Sequence, residues 1–154
     1  MVKCACLFFV GKISARVECS AIVDRLSCDF NWRVRNAVAQ NISGMKLKNK
    51  LQILEDLVLD EERDVVTQST TALADMIVKG GEHGLVQRYE TLVKDQVVKP
   101  TQAILRLPEI FTATGNSNSE LTLSVLNNMV GAEYDRQMCA YAIGGLTKCF
   151  GDKF

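Results

Sequence analysis

Three linked positions recur along the chain, and they restrict its fold more than any other feature. Val38, Ser69, Ala103 and Cys139 hold a small-residue position; Ile42, Leu73, Leu107 and Ile143 follow four residues later; Met45, Met76, Ile110 and Leu146 follow three after that. The copies are 31, 34 and 36 residues apart. Steps of four and three put the three side chains of each copy on one helix face. Upstream, Leu26, Leu57 and Leu92 each precede an Asp (Asp29, Asp60, Asp95) by three residues, so a preceding helix and its turn repeat as well. A helix pair of this length cannot bury its apolar stripe alone. Neighbouring pairs must therefore stack into one continuous core, and the expected architecture is an all-α solenoid of about four helical hairpins.

The pattern between the repeated positions is helical throughout, with no sustained strand alternation. Residues 3–15 read as one apolar helix, a partial cap whose own first partner helix is missing. Val17 to Cys28 is amphipathic, with Ala21, Ile22, Val23 and Leu26 on its apolar side. Asp29 to Asn31 form a turn with Asn31 as N-cap, and Trp32 to Ser43 carries Val34, Ala37, Val38 and Ile42 along one stripe before Gly44. Lys48 to Asp60 follows with Leu51, Ile53, Leu54, Leu57 and Val58. Asp64 is expected to cap a helix over Val65 to Lys79, closed by Gly80-Gly81. Further helices are expected at Leu85 to Lys94, at Pro100 to Thr114 with a kink at Pro108, from Ser119, and from Asp135 to Phe150. The repeats then span roughly 17–45, 46–81, 82–115 and 116–151 of a single domain over 1–154.

Composition removes whole classes of function. Lys+Arg and Asp+Glu both number 18, which gives no general attraction for nucleic acid or anionic membrane. A partner must be held by local patches. Cys4, Cys6, Cys19, Cys28, Cys139 and Cys149 fall in apolar helical patterns and read as reduced core thiols, which places the chain in the cytosol, with the nucleus as the alternative. The apolar run from Cys4 to Val10 is too short to cross a membrane. His83 is the sole histidine, so sites needing several imidazoles are excluded. Gly80-Gly81-Glu82-His83-Gly84 lacks the preceding strand and the Gly-Lys-Ser/Thr of a phosphate-binding loop. No nucleophile, base and orienting group can be picked out, so neither catalysis nor a cofactor is expected.

Leu26, Asp29, Val34, Arg35, Val38 and Ile42 match, position by position, the Leu-x-x-Asp, turn, Val-Arg and helix pattern of HEAT repeats, and the chain resembles that armadillo-like class over about residues 17–150. The resemblance implies a right-handed solenoid with a ladder of Asp and Arg side chains between turns, for which Asp29 and Arg35 are the candidates. Val66 and Pro100 take the Arg place in the second and third units and Arg136 restores it in the fourth, so the ladder reads as incomplete. Within the class, Trp32-Arg33-Val34-Arg35-Asn36-Ala37-Val38-Ala39 resembles turns of the scaffold (A) subunit of type 2A protein phosphatases and related regulatory subunits. In that family the turns form a ridge that grips catalytic and regulatory subunits.

Carried over, the ridge comprises Phe30, Asn31, Trp32 and Arg33, then Glu61, Glu62 and Arg63, then Gln96 and Val97, then Glu133, Tyr134 and Asp135. Phe30, Asn31, Trp32, Arg33, Glu62, Arg63 and Tyr134 are the candidate protein-binding residues, led by Trp32 and Arg33 because aromatic and Arg side chains dominate binding hot spots. The resemblance implies a non-enzymatic scaffold or adaptor with a phosphatase catalytic subunit as first partner. A tubulin-binding TOG-type domain is the alternative, and a HEAT-like DNA glycosylase the next. The unpaired helix at 3–15 is expected to be covered by a partner or by self-association.

Overall fold

The computed structural model describes residues 19–115 together with Leu121, Val125, Ala140, Gly144 and Thr147. Among these residues the chain is all helix, with six α-helices and no strand. In order they are α1 (Ser20–Ser27), α2 (Trp32–Ile42), α3 (Lys50–Val58), α4 (Arg63–Val78), a 3-10 turn (His83–Leu85), α5 (Val86–Lys94) and α6 (Pro100–Thr114). The helix expected over 3–15 lies outside the described residues. Of the two expected beyond Ser119, only the isolated positions above are described, all of them helical. The chain divides into two compact units, 1–75 and 76–154.

In the first unit α1 packs on α2, and α3 packs on both. Asn31 starts α2 as expected: its backbone is extended and its side-chain oxygen accepts the Arg33 N–H at 3.1 Å, satisfying one of the helix's orphan donors. The buried stripe of α2 is Val34, Val38, Ala39 and Ile42, and the repeat positions Val38, Ile42, Met45, Ser69 and Leu73 are all buried. Removing a side chain the size of Ile42 from water stabilises the fold by about 1.5–3 kcal/mol.

Several expectations shift. The inner face of α1 is Cys19, Val23 and Ser27, while Ala21 and Ile22 are exposed, because the helix is shorter and turned relative to the expected stripe. Cys28 is the exposed C-cap of α1 and not a core thiol, whereas Cys19 is buried. Leu51 faces outward on α3. Helix α4 begins at Arg63, so Asp64 lies inside its first turn rather than ahead of it, favourably placed against the helix dipole.

A serine can hold the small-residue core position of α4 because the helix itself satisfies it. The Ser69 hydroxyl donates to the Val65 carbonyl at 2.7 Å, and Thr70 and Thr71 donate to the Thr67 carbonyl at 3.0 and 2.8 Å. Ser69 and Thr70 are thereby buried with their hydroxyls bonded.

In the second unit the expected boundaries hold closely, with α5 one residue shorter than read and α6 as read. Its core includes Tyr89, Leu92, Val93, Val98, Ala103, Ile104, Leu107, Ile110 and Phe111, with Leu121 and Val125 also buried. Burial pushes the Tyr89 phenol well above its ordinary value, so it stays neutral. The buried Glu90 carboxylate is paired with Lys94 one turn on, at 2.5 Å. Helix α6 runs without interruption through Pro108, whose missing N–H deprives the Ile104 carbonyl of its helical donor. No helix among the described residues is long and apolar enough to cross a membrane.

Candidate functional site

The first two turns have the same construction, and the third does not. In each of the first two, the Asp N–H bonds the carbonyl of the Leu three residues earlier, Asp29 to Leu26 and Asp60 to Leu57, both at 3.3 Å. The Asp carboxylate then accepts the N–H two residues on: Asn31 to Asp29 at 2.9 Å and Glu62 to Asp60 at 2.8 Å. This is an Asx turn feeding directly into a helix, and it explains why Asp recurs at this point of the repeat. In the third turn Asp95 is exposed and the chain closes through main-chain bonds alone, Val97 N–H to Leu92 carbonyl at 2.9 Å and Gln96 N–H to Val93 carbonyl at 3.1 Å. That is a Schellman motif with Gln96 at φ 59°, a conformation that favours glycine.

Arg35 joins the first turn to the second. Its Nε and Nη2 fork onto the two Asp60 carboxylate oxygens at 2.6 and 2.9 Å, and its Nη1 donates to the carbonyls of Asp29 and Phe30 at 2.8 and 3.2 Å. The side chains are only 11% and 8% exposed. The hydrogen bonds from Arg35 hold the Asp60 carboxyl below the ordinary carboxylate range, against the opposing effect of burial, and the Glu62 N–H adds to them. Arg35 is raised in turn, chiefly by its bond to Asp60. Of the two ladder candidates, Arg35 does pair with a carboxylate across turns, and that carboxylate is Asp60. Asp29 contributes its main-chain carbonyl to Arg35, and its carboxylate accepts the Asn31 N–H.

This clamp holds the backbone at Asp29 and Phe30, where the candidate binding residues of the first turn begin. Phe30 is 92% exposed at the tip of the first turn, directly beyond the carbonyl that Arg35 holds. Asn31 is exposed, with its side-chain oxygen occupied in capping α2. Trp32 is half-buried, and the exposed Arg33 guanidinium lies 4.8 Å from the centre of its ring, a cation–π arrangement. Glu62 and Arg63 are exposed on the second turn, beside Glu61, whose side chain is 88% exposed and reaches within 3.9 Å of Arg35. Tyr134, with the rest of the fourth turn, lies outside the described residues.

Two participants are not among the candidate binding residues of the sequence. Asp60 is marked in the sequence only by its register with Asp29, three residues after a Leu. Leu59, 73% exposed next to it, was hidden because a leucine at the end of an amphipathic helix is ordinarily counted with the core. The second unit offers a shallow groove lined by Val78, Lys79, Arg106, Pro108, Glu109, Thr112 and Ala113, in which Arg106 and Glu109 pair with each other at 2.6 Å. Among the described residues no group of three or more His, Cys, Asp or Glu side chains could hold a metal ion. Comparison with known proteins finds no matching family model, no matching curated protein and no matching solved structure.

Proposed function

We propose that the helical pairs continue as HEAT-like repeats of an α-solenoid, and that the protein is a non-enzymatic cytoplasmic adaptor holding another protein along its first two turns. One observation carries this reading: an almost fully exposed phenylalanine stands on a turn whose backbone is locked by Arg35. An isolated exposed apolar side chain is ordinary on a protein surface. Here Phe30 sits beside a half-buried Trp and a stacked Arg, on backbone that loses little freedom when a partner binds. The resemblance of residues 32–39 to phosphatase scaffold turns makes a phosphatase catalytic subunit the first partner to test.

The test is affinity capture from cell lysate with wild type, Phe30→Ala, and the double variant Trp32→Ala with Arg33→Ala. Wild type is expected to retain a phosphatase catalytic subunit that both variants lose. Phe30→Ala is the cleaner variant, because Phe30 is exposed and its loss leaves the core intact. Retention of tubulin in place of phosphatase would move the reading to a tubulin-binding domain. Retention of the protein itself on a DNA column at physiological salt would end the adaptor proposal.

A further inference from the structure

The second turn carries a charge that the chain as a whole does not. Residues 55–64 hold six carboxylates (Glu55, Asp56, Asp60, Glu61, Glu62, Asp64) and a single cation, Arg63, in a chain whose formal charge is zero. Arg35 neutralises one of the six through its fork onto Asp60, and the remaining excess stays negative. Asp56, Glu61, Glu62 and Asp64 are all exposed. Leu59 on this turn and Phe30 on the first are exposed apolar side chains. Leu59 is covalently next to Asp60, and the Phe30 carbonyl shares the Arg35 guanidinium with Asp60, so both belong to the same clamped pair of turns.

From this juxtaposition, and resting on the adaptor reading above, we infer that the surface takes a basic peptide segment of its partner. Apolar residues of that segment cover Phe30 and Leu59, and Lys or Arg residues beside them meet Glu61 and Glu62. The excess on the second turn is negative, while Arg33 is an exposed cation on the first. A neutral apolar segment would leave the carboxylates facing an apolar neighbour, and an acidic one would be repelled. The clamp supplies the rigidity, since Asp60 is held by Arg35 and the Glu62 N–H rather than left for the partner. The same charge disfavours nucleic acid, whose phosphates would meet these carboxylates.

Fluorescence anisotropy with the full chain and three labelled synthetic peptides of equal length tests this. One peptide alternates Leu or Phe with Lys and Arg, one replaces every Lys and Arg with Gln, and one replaces every Leu and Phe with Ser. The first is expected to bind at least about ten-fold tighter than either of the others, and to lose about ten-fold or more between about 50 mM and about 300 mM salt. Glu61→Gln with Glu62→Gln, and separately Leu59→Ser, should each weaken it by about ten-fold with unchanged circular dichroism. Equal binding of the Gln peptide, no binding of the basic peptide, or indifference to the Glu61/Glu62 change overturns the inference. If Phe30→Ala loses the captured partner while the Glu61/Glu62 variant keeps it, the adaptor reading stands and the basic-segment inference alone fails.

Discussion

Arg35 is the residue on which the first unit's two turns depend, and its replacement should be costly in a specific way. Arg35→Ala strands the Asp60 carboxylate beside only the Glu62 N–H and withdraws the donor from two main-chain carbonyls. Breaking a largely buried, bidentate pair on one side costs about 2–4 kcal/mol, and Arg35→Lys, which keeps the charge and loses the fork, about half of that. Chemical denaturation measures both; equal stability of the Lys variant and wild type would mean that the fork geometry is irrelevant. The pH dependence follows from Asp60. Its folded pKa is depressed below the unfolded value of about 3.9, so the stabilisation is fully present above that value and is lost as pH falls through the lower folded value. Arg35 stays charged throughout this window. The stability gap between wild type and Asp60→Asn should therefore be constant from neutral pH to about 4 and close below it. Gln96 offers a gain instead: its φ of 59° costs a non-glycine residue, and Gln96→Gly should stabilise by about 0.5–1 kcal/mol in thermal melts.

At the scale of elements, the end of α4 shows what a sequence reading can and cannot reach. Gly80-Gly81 marks the stop, as expected, but the two glycines serve different needs. Gly81 has φ 69°, while at Gly80 an added Cβ would lie 2.6 Å from the Met76 carbonyl oxygen, the acceptor of the Glu82 N–H. Gly80→Ala must push that carbonyl aside and should cost about 1–3 kcal/mol, more than a helix-favouring substitution returns. A neutral or stabilising Gly80→Ala in denaturant titration would show that the turn relaxes freely. Helix existence, the Asn31 cap, the α6 boundaries and the buried register of Val38, Ile42, Ser69, Leu73, Ala103 and Leu107 were legible, because each rests on spacing or on a local side-chain bond. The inner face of α1 and the exposure of Leu59 and Cys28 were not, because which side of a short helix is covered depends on its neighbours. The Arg35–Asp60 clamp lay between these cases. Arg35 stands in the Val-Arg pattern and Asp60 in register with Asp29, yet the pairing crosses 25 residues and only the packing of the turns reveals it.

At the scale of the whole molecule the open question is whether the helical pairs act as stacked repeats or as one cooperative bundle, and the two make different predictions for a single core defect. Repeat stacks have stability that is roughly a sum of local and nearest-neighbour contributions, so damage spreads weakly along the chain. Ile42 is fully buried on α2, and Ile42→Ala leaves a cavity costing about 2–5 kcal/mol. Native-state hydrogen exchange then separates the alternatives, because it reports opening free energies amide by amide. For a repeat stack, protection in α1 to α3 should fall by most of the measured loss while Tyr89 to Val93 in α5 and Ile104 to Ile110 in α6 fall by much less. The mirror variant, Leu107→Ala in the second unit, should reverse the pattern, with α5 and α6 hit hardest and α1 to α3 largely spared. Equal losses at all amides in both variants would mean a single cooperative core. Repeat stacking would then have to be abandoned, although the turn surface built by Arg35 and Asp60 would stand on its own geometry.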